Sequence, residues 1–174
     1  MVTLRCTQKL LRRLGVPAKT ATAPPTTVLG DWYANLYYTL PYQLVLCLNE
    51  RTLLAVLIPA RDANSLGSRF RDGVLDLLTR LGVPATAVDS EARAMADVAF
   101  GPTANRRVLG CLNEAAYAMS VELERGRRTS PAQLELFLSE NIYSLTGYRQ
   151  PRELVLELFA ASGVSEGRAV SVAH

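Results

Sequence analysis

The stretch that decides the fold is WYANLYYTLPYQLVLCLNERTLLAVLI, residues 32–58. It holds three runs rich in leucine, valine and aromatic residues. Two short breaks separate them, Leu40-Pro41-Tyr42 and Asn49-Glu50-Arg51. Apolar runs joined by such tight breaks are typical of antiparallel strands. We therefore predict a three-stranded antiparallel meander over residues 32–39, 43–48 and 52–58.

The second and third of these runs are apolar at nearly every position, so they should be central strands covered by helices on at least one side. Outside the meander, alternation predicts short strands, whereas apolar residues at helical spacing predict helices. The predicted strands are 2–6 and 98–100, and the predicted helices are 8–14, 64–81, 86–96, 105–123, 130–145 and 151–161. The fold class that follows is α+β, with a mainly antiparallel sheet and helices packed on one face.

The domain organisation follows from length and from one charged segment. A chain of 174 residues, of which 49% are hydrophobic, fits one domain. The charged hinge 124–129 divides an α+β domain, 1–124, from a pair of C-terminal helices, 125–161, which we expect to pack on that domain or on a second copy of the chain. Residues 162–174 are small and polar, and we expect a flexible tail there.

Composition excludes several kinds of chemistry. The only histidine is His174, so neither a histidine-based nucleophilic site nor a zinc site with histidine ligands is expected. Cys6, Cys47 and Cys111 are dispersed, which predicts free thiols, no metal site and a reducing, cytosolic compartment. No cofactor motif such as a glycine-rich phosphate loop appears. No apolar run is long enough to span a membrane.

Basic residues cluster in two places. Residues 1–20 carry five cations and no acid, among them Arg5 and Lys9, and a second basic cluster lies at 125–128. Such clusters are typical of surfaces that bind nucleic acid or another polyanion, although they are also found on ordinary solvated surfaces.

Two short motifs carry polar residues where packing alone does not require them. The first is Arg5-Cys6-Thr7-Gln8-Lys9, at a predicted strand-to-helix junction. The second is Gly30-Asp31-Trp32-Tyr33-Ala34-Asn35, at the start of the meander. Asp31 is the lone carboxylate best placed to act as a general base. Trp32 is either a core residue or a platform on which a base could stack.

A third motif, residues 103–113, crosses the start of a predicted helix. Arg106, Gly110 and Asn113 are spaced i, i+4 and i+7, so they share one helical face. The free amides of the first turn, beside Arg106, could hold an anion. The alternative is structural: Arg106 pairs with Asp31, and Asn113 caps a neighbouring loop.

The three motifs in this order resemble an uncharacterised bacterial domain family. Its members carry Arg-Cys-Thr-x-Lys-Leu-Leu, then Trp-Tyr-Ala-Asn-Leu or Trp-His-Ala-Asn-Leu, then Thr-x-x-Arg-Ser-Val-Leu-Gly-Ser-Met-Asn. Here these stand at 5–11, 32–36 and 103–113. Arg107 replaces the usual serine, and Cys111-Leu112 replaces Ser-Met. The resemblance covers about residues 1–120 and implies no activity.

We expect the three motifs to line one polar cleft, and we interpret the chain first as a cytosolic binding or regulatory module for an anionic ligand, namely nucleic acid or a nucleotide. The alternatives are a small metal-independent enzyme acting on a phosphodiester, in which Asp31 or a tyrosine moves the proton, and a module that binds a protein partner or a second copy of itself. The predicted ligand-binding residues are Arg5, Lys9, Asp31, Trp32, Asn35, Arg106 and Asn113.

Overall fold

The computed structural model describes residues 1–17, 23–39 and 41–170. Within them the chain forms five strands, six α-helices and two short 3-10 turns, Ala63–Ser65 and Ser144–Thr146. The strands are β1 (Val2–Cys6), β2 (Trp32–Thr39), β3 (Tyr42–Asn49), β4 (Ala55–Pro59) and β5 (Val98–Pro102). The helices are α1 (Gln8–Leu14), α2 (Leu66–Arg80), α3 (Ala85–Ala94), α4 (Arg106–Glu124), α5 (Pro131–Ser139) and α6 (Pro151–Val170).

The strands form a single sheet in the order β4-β3-β2-β1-β5. The α+β class is therefore confirmed, but the prediction of a mainly antiparallel sheet is wrong, because the sheet is mixed. Strand β3 runs antiparallel to β2 and β4, whereas β1 runs parallel to both β2 and β5. The physical reason lies in the connections. The chain enters β2 after α1 and β5 after α2 and α3, and a connection that contains a helix can return the chain in the same direction.

Helices cover both faces of the sheet, not one face as predicted. One core cluster joins the sheet to α1, α2, α3 and α6, and we call this side the α2 face. A second cluster joins the sheet to α4 and α5, and we call this side the α4 face. Strand β3 requires both layers, since Val45 points to the α2 face and its neighbour Leu44 to the α4 face, and both are buried.

The C-terminal helices lie on opposite faces of the sheet, and α5 packs against β4. Buried leucines of α5 join the α4-face cluster, and Val155 and Phe159 of α6 join the other. Helix α5 begins with a capping box between Ser130 and Gln133. It ends at Ser139, so the predicted helix to residue 145 is too long, and Ile142 is 58% exposed. Helix α6 runs to Val170, past the predicted end at 161. No helix in the described part of the chain is long and apolar enough to cross a membrane.

Candidate ligand-binding site

Two of the three predicted motifs lie where parallel strands end, whereas the second motif spans the start of β2. Thr7 directly follows β1, and residues 103–105 directly follow β5, its parallel neighbour. In the register of the sheet, Arg5 is paired with Tyr33 of β2 on one side and with Gly101 of β5 on the other. The crevice beyond the carboxyl ends of parallel strands is the usual ligand position in sheets that helices cover on both faces.

Asp31 and Arg5 form an ion pair inside this region. The Nε and Nη2 atoms of Arg5 lie 3.2 and 2.9 Å from Oδ2 of Asp31, and the backbone N–H of Thr3 donates to Oδ1 at 3.0 Å. Asp31 is only 5% exposed. The predicted alternative in which Arg106 pairs with Asp31 is therefore wrong, because Arg5 occupies that carboxylate from the neighbouring strand.

Residues of the first and third motifs influence the pKa of Tyr33, which belongs to the second. Burial raises the pKa of Tyr33, and Glu50 raises it further. Arg5 and the backbone of Ala104 and Asn105 lower the same pKa. Tyr33 is buried in the α4-face cluster, and its partner in the register of the sheet is Arg5 of the first motif.

A chain of polar side chains continues from this point along β2. The hydroxyl of Thr7 donates to Oδ1 of Asn35 at 2.6 Å, and the hydroxyl of Tyr37 donates to Oδ1 of Asn113 on α4 at 3.3 Å. Burial raises the pKa of Tyr37, and a hydrogen bond from the Asn35 side chain partly offsets that rise. Tyr37 therefore lies near both Asn35 and Asn113, although it is not among the predicted ligand-binding residues.

Lys9 and Trp32 have structural contacts. The Nζ of Lys9 donates to the carbonyl of Leu36 at 3.0 Å and lies 4.7 Å from the centre of the Tyr38 ring. Trp32 is fully buried, and its ring packs edge-on against Phe70 with 5.4 Å between ring centres. Trp32 is therefore a core residue on the α2 face, because alternation along β2 points it away from the polar side, and its burial favours the core alternative over a platform for a base.

The start of α4 differs from the anion-binding site that the sequence predicted. The Oδ1 of Asn105 accepts from the backbone N–H groups of Arg107 and Val108, at 2.9 and 3.4 Å, so the helix supplies its own N-terminal cap. The first turn contains no acidic residue. Arg106 and Arg107 are exposed and form no ion pair with any residue that the structure describes.

Beside this turn lies a depression of about 440 Å³ between α4 and the 3-10 turn at Ser144–Thr146. Helical spacing is a signal for the α4 side of this depression, because Arg107, Gly110 and Glu114 follow the i, i+3, i+7 spacing of one helical face. It gave none for Ser144 and Leu145, which were predicted to lie inside a longer helix. The lining residues are Arg107, Gly110, Cys111, Glu114, Ser144 and Leu145.

The described residues offer no group of three side chains suited to hold a metal ion. The three cysteines have free, buried thiols. Burial raises the pKa of Cys6 to about 12 and also raises the pKa of Cys47 and Cys111. Because the thiolate is the nucleophilic form, none of these groups is activated for attack.

The chain belongs to the family described as Domain of unknown function (DUF6933), whose model matches residues 3–154. The membership in an uncharacterised domain family that the three motifs predicted is thereby confirmed. The match extends beyond residue 120 and includes α5. No curated protein matches the sequence.

Proposed function

We propose that the protein is a cytosolic binding module for an anionic ligand, nucleic acid or a nucleotide, and that the ligand contacts the start of α4. The observation that carries the proposal is the pair of exposed arginines, Arg106 and Arg107, in the first turn of that helix. The N-terminus of a helix carries a partial positive charge, so each cation there costs about 0.3–1 kcal/mol. A bound anion would offset that cost.

Some arginines elsewhere in the structure are bound by carboxylates, although Arg12, Arg13, Arg93 and Arg125 also form no ion pair with a described residue. Two arginines of the basic cluster at 125–128 form ion pairs with the carboxylate of Glu122. They are Arg127 and Arg128. Arg149 binds Glu157, and Arg152 binds Glu140. The two arginines that begin α4 have no such partner among the described residues, which leaves their guanidinium groups available to phosphate oxygens.

The neighbouring polar side chains suit the rest of such a ligand. Asn35 and Asn113 carry amide groups, which can hydrogen-bond to a base or to a sugar, and the hydroxyl of Tyr37 lies between them. The free thiols suit a reducing compartment, which supports the cytosolic part of the proposal.

The two alternatives have weaker support. An enzyme that uses Asp31 to move a proton would need a free carboxylate, but Arg5 and the backbone of Thr3 hold that group. A protein-binding module would use exposed aromatic rings, and Tyr38 at 59% and Tyr117 at 73% exposure favour it as the second candidate.

The test is equilibrium binding of a fluorescently labelled single-stranded 12-nucleotide DNA, its duplex and a matched RNA at a series of salt concentrations. Each phosphate contact to a single strand contributes about −0.7 to the slope of log K against log salt. Arg106→Gln and Arg107→Gln should each make the slope less negative by about 0.7, the value for one contact.

The control is Arg152→Gln, which removes an exposed arginine that is already bound to Glu140. It should leave the slope unchanged. Binding to none of the three probes at low salt would overturn the proposal and would leave the protein-binding module as the leading candidate.

A further inference from the structure

We propose that the depression beside Gly110 is the seat of one nucleobase whose phosphate is held by Arg107. The ligand is a 5′-nucleotide unit, either free or within a single strand. This inference rests on the proposed function and adds to it the position and orientation of the base.

Gly110 is the first argument, because neither packing nor backbone conformation requires a glycine there. It lies inside α4, its φ is not in the left-handed region, and a Cβ built on it would meet nothing within 4 Å. A glycine inside a helix nevertheless costs about 1 kcal/mol relative to alanine. Such a glycine does not mark a site by itself, since Gly163 in α6 has equally open surroundings, but Gly110 also lines the depression. Here the missing side chain lets a flat ring approach the helix backbone.

The walls of the depression suit a base. Leu145, 38% exposed, supplies an apolar flank on the side opposite α4. Glu114 supplies carboxylate oxygens and Ser144 a hydroxyl, groups that accept hydrogen bonds from the N–H edge of a base. A volume of about 440 Å³ lies within the range of small-molecule sites.

The two charged residues of the depression determine the orientation in which a nucleotide would bind. Arg107 and Glu114 stand two helical turns apart on α4, and they form no ion pair with each other. A nucleotide carries a phosphate at one end of the ribose and an N–H-bearing base at the other. The phosphate therefore belongs at Arg107 and the base edge at Glu114. An inorganic anion would gain nothing from the carboxylate.

A buried hydroxyl belongs to Tyr143, the residue that precedes Ser144 in the chain. Tyr143 is 2% exposed, and its Oη has no hydrogen-bond partner. Burial raises the pKa of Tyr143 to about 12, and although Asn141 is near enough to lower that pKa, Cys111 and Glu114 raise it. The phenol therefore remains a protonated donor close to two residues that line the depression.

The experiment measures binding of the four common 5′-ribonucleoside monophosphates, of tripolyphosphate as an anion without a base, and of a labelled single strand. Gly110→Leu would place a side chain in the seat and should weaken nucleotide and single-strand binding about tenfold or more, while tripolyphosphate binding changes less than about twofold. Glu114→Gln should lower nucleotide affinity about two- to tenfold and leave tripolyphosphate unaffected or bound more tightly.

Gly163→Leu is the matched control, since Gly163 lies in α6 and a Cβ there also meets nothing within 4 Å. Gly110→Ala separates a loss of binding from a loss of folding. It should raise the melting temperature and still weaken nucleotide binding. Unchanged nucleotide binding by Gly110→Leu would overturn the base seat while leaving the arginine result to decide the proposed function. Binding of tripolyphosphate without any nucleotide would also overturn the seat alone. Binding of no probe would overturn both proposals.

Discussion

Glu135 of α5 accepts a hydrogen bond from the backbone N–H of Leu57 in β4, with 2.8 Å between Oε1 and the nitrogen. Strand β4 lies at the edge of the sheet, where N–H groups on the outer side have no strand partner. The second carboxylate oxygen of Glu135 binds Arg80 of α2. One side chain therefore closes the sheet edge and ties the helices of the two faces together.

Replacing Glu135 should destabilise the protein. Glu135→Ala leaves a buried N–H without a partner and removes one of the two carboxylates that bind Arg80, at a cost of about 1–3 kcal/mol. Urea denaturation followed by circular dichroism measures that cost. Glu140→Ala, which breaks only the exposed pair with Arg152, should change the free energy of unfolding by less than about 1 kcal/mol. Equal urea midpoints for the two variants would show that the edge contact is unimportant.

Removing α5 and α6 together should have a larger effect. A chain that ends at Glu124 uncovers the edge of β4 and loses, among other buried side chains, four apolar ones of α5 and α6, each worth about 1.5–3 kcal/mol. We expect it to aggregate and to melt at a lower temperature, as seen by size-exclusion chromatography and thermal denaturation. A soluble, monomeric and equally heat-stable truncated chain would contradict this role. The four side chains are Leu134, Leu138, Val155 and Phe159.

Local patterns predicted most elements of this fold but not the direction of β1. The alternation in residues 2–6 fits a parallel strand and an antiparallel strand equally well. Its direction depends on pairing with Trp32 on one side and Val98 on the other, both far along the chain. The second helical layer was missed for a related reason, since an apolar run such as 43–48 shows that a strand is buried but not what covers each face.

The site shows the same division between local and long-range information. Helical spacing placed Arg106, Gly110 and Asn113 on one face of α4, but the partner of Asp31 proved to be Arg5, which lies on the adjacent strand. Leu145 was predicted to lie in the last turn of a helix over 130–145, whereas it lies beyond the end of α5 and lines the depression. The end of α5 at Ser139 decides that position, and the apolar spacing of 134–145 contains no signal for it.

The ion pair of Arg5 and Asp31 should contribute to stability and not to ligand binding. Arg5→Gln leaves a covered carboxylate without its cation, and since Arg5 is partly exposed we expect a loss of about 1–3 kcal/mol, below the cost of breaking a fully buried pair. Adding Asp31→Asn should recover part of that loss in a double-mutant cycle measured by urea denaturation. An Arg5→Gln variant with native stability and a less negative salt slope for DNA binding would instead make Arg5 a phosphate contact.

Glu91 should make stability depend on pH. It is 2% exposed, and its carboxylate accepts from the backbone N–H groups of Val28 and Leu29 at 2.8 and 3.2 Å, which ties that loop to α3. Burial raises the pKa of Glu91, and the two amides, the N-terminal amino group of Met1 and Arg51 offset only part of that rise.

The sign of the effect follows from the raised pKa. The folded protein takes up this proton at a higher pH than the unfolded chain does, so the stability linked to it is fully present below the ordinary glutamate pKa and is lost as pH rises through the folded value. Glu91→Gln cannot titrate. The free energy of unfolding of the native chain minus that of the variant should therefore decrease between about pH 4 and pH 7, starting near the ordinary value of about 4.3. Urea denaturation at half-unit steps of pH measures this difference. A difference that is constant across the range, or one that increases with pH, would show that the amides and cations outweigh burial at Glu91.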